Sequence, residues 1–196
     1  MYLGIGVICA TPMCSLPTTF SLVTGLIAVV KSSLDCSMDF VGANGPYTHF
    51  NREDVILLAM EQGFTHLQFV DTDVRFPEST IKRLIEHDKD IIGANYNRKE
   101  FPLRGATEHY YEHNRALKVP KDEPYRVRAI PCGLMLINLA RVKEKMVPPY
   151  FDTINNPDPA KRVGEDIYFC RAANEAGLEV WCDPTIKVGH IGPYEY

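Results

Sequence analysis

The sequence lacks the cysteine spacing of a structural zinc site. Its six cysteines include no C-x-x-C pair, and such pairs are the usual ligands of structural zinc. Most of the cysteines lie in apolar runs, for example "GVICA" and "IPCGLML", where a thiol behaves as a small buried hydrophobe. The cysteine pattern therefore predicts a reduced, cytoplasmic protein.

A hydrophobic run long enough to cross a membrane is also missing. The most apolar stretch, "FSLVTGLIAVV" from Phe20 to Val30, is much shorter than the roughly 20 residues that a transmembrane helix needs. We expect a buried helix there instead. The first residues contain no basic segment and no small-residue cleavage site, so we expect neither a signal peptide nor a transmembrane segment.

The chain has no excess of positive charge. Lysine and arginine together number 21, aspartate and glutamate 25, and the net charge is -4. Because proteins that bind nucleic acid usually present a basic surface, this balance argues against a nucleic-acid partner. It still permits a small anionic ligand held by one or two local cations. The length, 196 residues without an internal repeat, predicts a single domain over residues 1–196.

Short apolar runs alternate with helical patterns along the chain. This order predicts an α/β fold with a mainly parallel central sheet flanked by helices. The predicted strands lie in "LGIGVICA", "MDFVGA", "FTHLQFV", "KDIIGANY" and "VRAIPCGLMLIN", and "LEVWCDPTIKVGHIG" is a predicted strand with an extended tail. The predicted helices lie in residues 18–32, "HFNREDVILLAMEQG", "FPESTIKRLIEHD", "LARVKEKM" and "EDIYFCRAANEAG". Asn51 is the expected cap of the second helix. Residues 97–126 and 148–163 are polar and poorly periodic, so we expect mobile surface loops that border a binding site.

Two aspartates stand one residue apart in "FVDTDVRF", at the end of an apolar run. Ligands of open α/β sheets bind at the carboxyl ends of the strands, and close carboxylates at that place suit Mg²⁺ or Mn²⁺. An ion would relieve the repulsion between Asp71 and Asp73 and would carry a phosphate-bearing substrate. The alternative is that both are ordinary turn and cap residues before the next helix.

Acidic residues also begin the helix in "GEDIYF". Glu165 and Asp166 follow a glycine, where a carboxylate either interacts favourably with the helix dipole or acts as a general base at the rim of a site. Further along, "VGHIG" places His190 between small residues that leave room for a ligand. An imidazole is an acceptable third ligand for Mn²⁺, although a single histidine is more often structural or solvated.

The order of these motifs resembles that of the GT-A-fold glycosyltransferases. The resemblance is carried by "FVDTDVRF", the strands "DIIGANY" and "PCGLMLI", then "GEDIYF" and "GHIG". The sequence looks most like short family 2-like members from viral and bacterial genomes, which implies the cytoplasm of a bacterium or of a virus-infected host cell. The family implies a metal-dependent enzyme that moves a sugar from a nucleotide-sugar donor, expected to be UDP-linked, to a hydroxyl of a saccharide or another acceptor. Inversion is favoured over retention.

The resemblance assigns roles to the acidic residues and the histidine. Asp71 and Asp73 look like the Asp-x-Asp motif, whose second acid binds the Mn²⁺ or Mg²⁺ ion that bridges the donor diphosphate. His190 resembles the later histidine that completes the metal site. Asp166 matches the acid that deprotonates the acceptor in inverting members, and Glu165 lies beside it.

The resemblance also implies a donor-binding set around the two aspartates. Thr72 lies between them, and Gly133 in "PCGLML" resembles the small residue that lets the backbone approach the donor sugar. Thr11 and Pro12, after the first strand, resemble the loop that receives the base and the ribose. Arg52 in "FNRED" is either a bidentate ligand of the diphosphate or a surface arginine.

Two other functions stay open at the level of sequence. A sugar nucleotidyltransferase also combines an α/β sheet, carboxylates and a divalent ion. It is expected to carry a glycine-rich, basic phosphate loop after the first strand, and "CATPMCSLP" has neither the glycines nor the lysine. A catalytically silent domain that binds a sugar or a nucleotide would keep the same fold and the same motifs.

Overall fold

The computed structural model of the protein describes residues 1–8, 14–43, 45–109, 111–112, 115–116 and 119–195. In chain order its elements are β1 (Tyr2–Ile8), α1 (Leu16–Val30), β2 (Ser37–Val41), α2 (Thr48–Glu61), β3 (His66–Asp71), β4 (Val74–Arg75), α3 (Thr80–Glu86), β5 (Ile91–Gly93), β6 (Tyr111–Glu112), β7 (Arg115–Ala116), β8 (Tyr125–Arg126), β9 (Leu134–Asn138), α4 (Leu139–Lys145), α5 (Glu165–Glu175), β10 (Val180–Cys182) and β11 (Gly189–His190). A short 3-10 helix, Pro159–Lys161, precedes α5.

The central sheet, as far as the chain is described, has seven strands in the order β2-β1-β3-β9-β5-β10-β8. Strands β1, β2, β3, β5 and β10 run in the same direction. Strand β9 is antiparallel to both of its neighbours, and β8 is antiparallel to β10. The mainly parallel sheet expected from the sequence is therefore confirmed, with one internal reversal at β9.

The sheet has a hydrophobic core on each of its two faces, because the side chains of each strand point alternately to one face and the other. In β9, Met135 and Ile137 belong to one core, and Leu134 and Leu136 belong to the other, because successive side chains of a strand point to opposite faces. Helices α2, α4 and α5 contribute to the first core, and α1 and α3 to the second. A sheet covered on both faces has mostly apolar strands, and in β3 the acidic Asp71 is the last residue of the strand.

The start of helix α2 and the start of strand β9 differ from the sequence-based predictions. Helix α2 begins at Thr48, and Asn51 lies within its first turn, where its side-chain amide donates to the Gly45 carbonyl (2.8 Å). Asn51 is therefore not the cap, because its side chain already has a partner in the loop before the helix. The strand predicted in "VRAIPCGLMLIN" is confined to Leu134–Asn138, since Gly133 lies in a turn.

Helix α1 is buried on one face only, so the expectation of a buried helix was wrong in part. It begins at Leu16, where the Ser15 hydroxyl accepts a hydrogen bond from the Thr18 N–H (3.2 Å), and ends at Val30. The helix has no charged residue on any side, and within the described part of the chain its covered face is the one toward β4 and α3. In the described part of the chain, no helix has the length and apolar character that a membrane crossing requires.

The C-terminal tail returns to the end of β3. Strand β11 pairs antiparallel with β4, so that His190 lies opposite Val74. The Ile191 N–H donates to the Asp73 carbonyl (2.7 Å). These backbone contacts carry His190 from the end of the chain to the turn that holds the two aspartates.

The loop before α5 is anchored at its beginning. Tyr150 and Phe151 are buried, and both backbone N–H groups donate to the same carboxylate oxygen of Glu53 (2.8 Å each). Most of residues 152–162 are exposed. The predicted mobility of residues 148–163 therefore stays a prediction for the exposed part, whereas the two aromatic residues are held in place.

Asp183 fixes the turn that leads from β10 toward β11. Its buried carboxylate accepts hydrogen bonds from the N–H (2.9 Å) and hydroxyl (2.6 Å) of Thr185, and it pairs with Arg83 (2.7 Å) and His87 (2.9 Å). Burial alone would raise the pKa of Asp183, but the Thr185 and His87 hydrogen bonds and the Arg83 charge lower it below its ordinary value. The ionised form is therefore the one that stabilises the fold.

We expect Asp183→Asn to lower the free energy of unfolding by about 2–3 kcal/mol, because it weakens several hydrogen bonds to a charged group at once. The difference should be full at neutral pH and should shrink as the pH falls below the ordinary carboxyl range, where the native aspartate also protonates. Urea denaturation at several pH values measures it. Asp88→Asn is the matched control, because Asp88 is exposed and pairs with Arg141 at the surface. Equal losses in the two variants would contradict the prediction.

Candidate active site

Arg52 connects the carboxyl end of β3 to the beginning of α5. Its Nη2 donates to Asp71 Oδ1 (2.9 Å) and Oδ2 (3.2 Å), and its Nε donates to Glu165 Oε1 (3.3 Å). The guanidinium carbon lies 5.4 Å from the centre of the Phe69 ring, and the Arg52 side chain is only 4% exposed. One buried cation therefore holds two acidic residues from distant parts of the sequence at one place.

Burial and charge act against each other in this group. Burial alone would lower the pKa of Arg52, but the neighbouring carboxylates, Asp71 above all, raise it above its ordinary value, so the guanidinium stays charged. Burial raises the pKa of Asp71, although Arg52 opposes the change. Arg52 Nη1 is buried and has no hydrogen-bond partner in the part of the chain that the structure describes. Its N–H groups are donors that a ligand can use.

Asp166 lies in the first turn of α5, next to Glu165. Gly164 precedes the helix, and the Ile167 N–H donates to Asp166 Oδ1 (2.8 Å). Burial, followed by the charge of Glu165, raises the pKa of Asp166 above its ordinary value. A carboxylate with a raised proton affinity at the start of a helix is suited to accept a proton from a bound hydroxyl group.

Gly133 allows a close approach between the start of β9 and Asp71. The Asp71 N–H donates to the Gly133 carbonyl (3.0 Å), and the Gly133 N–H donates to the Tyr96 hydroxyl (3.1 Å). A Cβ atom at this position would overlap the Tyr96 hydroxyl and lie 2.8 Å from Asp71 Oδ2. The site therefore needs a residue without a side chain here.

Asp73 faces a second group of donors. Its Oδ2 accepts a hydrogen bond from Lys99 Nζ (2.5 Å) and lies 3.6 Å from His190 Nε2. His190 Nδ1 lies 2.9 Å from the Asn97 carbonyl oxygen, and its ring packs edge-on against Tyr96 at 5.0 Å between centroids. Burial would raise the pKa of Asp73, but the neighbouring His190 and Lys99 side chains outweigh it and lower the pKa to about 2.

The donor atoms around Asp73 fit part of a divalent-metal site. Asp73 Oδ2 and His190 Nε2 are an oxygen and a nitrogen, ligands that Mn²⁺ accepts, and at 3.6 Å apart both reach one ion at about 2.1 Å. Both oxygens of Asp71, in contrast, are hydrogen-bonded to Arg52. Among the described residues, no cluster of three or more histidine, cysteine or acidic side chains is arranged to hold a metal ion.

The structure brings most of the residues singled out in the sequence to one edge of the sheet. Two of them, Thr11 and Pro12, lie outside the described residues. Thr72 contributes its backbone carbonyl, which accepts a hydrogen bond from the Ser15 N–H (2.8 Å) at the start of α1. Arg52 is not the surface arginine that the sequence left as an alternative, because it is buried.

The site contains two groups that the sequence did not indicate, the Lys99 ammonium and the Tyr96 hydroxyl. Tyr96 ends the predicted strand "KDIIGANY" and Lys99 follows it, and the carboxyl ends of parallel strands face the ligand side of an α/β sheet. A cation directly after such a strand was the available signal for Lys99. Residues 97–126 show no periodicity, and this predicts a surface loop for Lys99 instead of a place in the site.

Known proteins resemble this chain in structure but not in sequence. No protein-family model matches the chain, and no curated protein sequence matches it. Among solved structures, the crystal structure of A197 from STIV superposes with a TM-score of 0.61 at 15% identity, covering 98% of this chain and 86% of that chain.

Two further solved structures are less similar. GalNAc-T7 with UDP, GalNAc and Mn²⁺ gives a TM-score of 0.48 at 13% identity, covering 97% of this chain and 44% of that chain. S. aureus TarS 1–349 in complex with UDP-GlcNAc gives a TM-score of 0.44 at 12% identity, covering 93% of this chain and 58% of that chain. The chain thus spans about half the length of these two solved chains.

The likeness to A197, together with the strand order, shows the fold. The chain has an α/β fold of the GT-A type, with a mostly parallel central sheet flanked by helices, as the sequence predicted. A fold hosts many functions, and activity has to be argued from the site.

Proposed function

We propose that the protein is a metal-dependent glycosyltransferase that moves a sugar from a UDP-linked donor to a hydroxyl group of an acceptor, with inversion at the anomeric carbon. The observation that carries the proposal is the buried Arg52, which holds Asp71 and Glu165 together at the carboxyl edge of the sheet. Asp166 and the Asp73–His190 pair stand at the same edge. The GT-A-type fold and the motif order support the same function.

Asp166 is the general base of the proposed reaction. It takes the proton of the acceptor hydroxyl while that oxygen forms a bond to the anomeric carbon. The bond between this carbon and the diphosphate oxygen breaks, and the nucleoside diphosphate leaves with the bonding electrons. Arg52 supports Asp166 indirectly, because its contact with Glu165 fixes the first turn of α5.

Asp73 and His190 are the residues that would hold Mn²⁺ or Mg²⁺. Such an ion, when bound, supplies positive charge beside the leaving diphosphate. Lys99 already places an ammonium group on Asp73 Oδ2, so this oxygen attracts positive charge in the free protein as well. We infer that Lys99 leaves Asp73 when an ion takes the same oxygen.

Donor binding in this proposal uses the backbone and the remaining donors of the site. Gly133 lets the start of β9 lie close to Asp71 and Tyr96, and the Arg52 Nη1 group lacks a partner among the described residues. We propose that the sugar lies against Gly133 and that the diphosphate extends past Thr72. The base and the ribose would then reach the segment that contains Thr11 and Pro12.

Mn²⁺ is expected to strengthen UDP binding to the native protein at least about tenfold, and Asp73→Asn should remove this effect. The amide keeps the shape of the carboxylate but loses the negative charge that attracts the ion. Isothermal titration of UDP with and without Mn²⁺ measures both affinities. If the variant keeps the native affinity and the native metal dependence, the assignment of Asp73 is wrong.

Lys99→Met should strengthen metal binding at Asp73 Oδ2, whereas Asp73→Asn should weaken it. Removing the ammonium group should let Mn²⁺ bind at lower concentration, because the ion no longer displaces Lys99 from Asp73. The signal of free Mn²⁺ in electron paramagnetic resonance reports this binding without nucleotide. Lys121→Met, in an exposed turn, is the control that accounts for a simple change of net charge.

A panel of nucleotide sugars, with and without Mn²⁺, separates the proposed function from the alternatives. Sugar transfer, or slow hydrolysis that releases a nucleoside diphosphate, supports the transferase. Exchange of pyrophosphate would indicate a nucleotidyltransferase, and binding without turnover a silent domain.

A further inference from the structure

Helix α1 carries a continuous row of exposed apolar side chains. In order along the helix, the row and its exposed fractions are Leu16 (69%), Phe20 (65%), Val23 (50%), Ile27 (45%) and Val30 (71%). The buried side chains of the same helix, which face the core, are Thr18, Ser21, Leu22, Gly25 and Val29. Single exposed apolar residues are normal on a protein surface, but a contiguous patch marks an interaction site.

The spacing of this row indicates what kind of partner covers it. Its members follow one another at intervals of four, three, four and three residues, which is the seam that packs one helix against another helix. The sequence from Cys14 to Val30 contains no aspartate, glutamate, lysine or arginine. Two copies of the helix therefore approach each other without charge repulsion.

The neighbourhood of Phe20 provides a place for a partner's side chain. A shallow groove of about 390 Å³ runs beside this ring, and its lining includes Thr24, Arg75 and Phe76. Arg75 forms an ion pair with Glu195 at the border of the groove. An apolar centre with a polar rim is the usual arrangement of a protein interface.

We propose that α1 is the contact surface of a symmetric dimer, in which a second copy of this chain packs its own α1 antiparallel along the row. A two-fold axis makes the contact self-complementary, and antiparallel helices place opposite dipole ends together. Val23 stands midway along the row and would lie at the axis. Phe20 of one copy then lies opposite Ile27 of the other, and Leu16 opposite Val30.

The exposed apolar area of α1 is enough for a weak, reversible dimer. The five side chains expose on the order of 500 Å² of apolar surface, given that a whole aromatic side chain buries roughly 150–250 Å². Two copies would bury about 1,000 Å² in total, which is the lower limit for a specific interface.

A lipid surface fits these features less well than a second copy. Helices that lie in a membrane interface carry lysine and arginine on their polar face. The other face of α1 is uncharged and packs against the core of its own chain. This surface is distinct from the residues assigned to catalysis, so the dimer and the proposed activity are tested separately.

Sedimentation equilibrium of the full chain, from low-micromolar to several hundred micromolar concentration, tests the proposal. We expect a monomer–dimer equilibrium for the native chain. Phe20→Lys alone and Ile27→Glu alone should each weaken it at least about tenfold, because each buries a charge in the apolar contact. Both positions are exposed in the monomer, so circular dichroism and the melting temperature should stay near native values. Val147→Glu is the control, because Val147 is 81% exposed and lies outside α1.

Mixing the two single variants tests the direction of the helices. In the antiparallel pair, the introduced lysine faces the introduced glutamate and the other contact stays native, so the mixture should associate more tightly than either variant alone. Absence of this recovery would overturn the antiparallel arrangement. A native chain that stays monomeric at the highest concentration would overturn the dimer, as would variants that associate like the control. A monomer that floats with phosphatidylcholine–phosphatidylserine vesicles would assign the row to a lipid surface.

Discussion

Asp166→Asn is expected to reduce sugar transfer by roughly a hundred- to ten-thousand-fold, the usual effect of removing a general base. UDP affinity and its dependence on Mn²⁺ should stay near native values. Asparagine keeps the shape of the side chain and can still accept the hydrogen bond from the Ile167 N–H, but it cannot take a proton from the acceptor. Initial rates of transfer and of donor hydrolysis, with UDP titration in the same variant, measure the effect.

Asp158→Asn is the matched control for this experiment. Asp158 also accepts a backbone hydrogen bond, from the Ala160 N–H (3.0 Å), at the start of the 3-10 helix. Its replacement makes the same chemical change in a capping role, so transfer should stay native. Near-native transfer by Asp166→Asn would return Asp166 to the role of a helix-start residue, since asparagine suits that position about as well as aspartate.

The rate of the native protein should also depend on pH through Asp166. Burial and the charge of Glu165 raise the pKa of Asp166, so the ionised base forms at higher pH than a free aspartate would. The rate of transfer should therefore fall on the acid side at a pH above the ordinary range of an aspartate carboxyl group. If Asp166 is the general base, this fall of the rate at acid pH should be absent in Asp166→Asn. A fall that persists in the variant would contradict the role of Asp166.

The positions of Asp71, Asp73 and Asp166 were readable from the sequence because local patterns fix them. An apolar run that ends in "DTD" defines a strand end, and carboxylates at a strand end face the ligand side of the sheet. A glycine followed by two acids defines a helix start in the same way. Both elements occur where these patterns place them, β3 ending at Asp71 and α5 beginning at Glu165.

The partners of these residues were not readable, because they depend on contacts between distant segments. Nothing near Arg52 in the sequence shows that its side chain reaches Glu165, which is 113 residues away. The Lys99–Asp73 pair likewise depends on a loop without periodicity. The exposed row of α1 could not be predicted for a different reason. A helix without charged residues has no polar face that marks the solvent side, and in α1 the hydroxyl side chains of Thr18 and Ser21 are on the buried face.

Arg52→Gln is expected to lower the free energy of unfolding by about 3–5 kcal/mol at neutral pH, because it removes the cation from a buried group of carboxylates. The negative charges of Asp71 and Glu165 would then repel each other, with no cation paired to either carboxylate. Arg126→Gln is the control, since Arg126 pairs with Glu179 at the surface, where both side chains are nearly half exposed. An exposed pair of this kind contributes at most about 1 kcal/mol. Urea denaturation of both variants measures the difference.

The pH dependence of the Arg52→Gln variant separates lost charge compensation from lost packing. Burial already raises the pKa of Asp71 in the native protein, and without Arg52 the pKa should rise further. The folded state then binds a proton more readily than the unfolded state, so the stability of the variant should increase as the pH falls toward that pKa. A loss caused by packing alone would stay constant with pH. A constant loss, or one no larger than in Arg126→Gln, would show that Arg52 does not hold the two carboxylates in place through its charge.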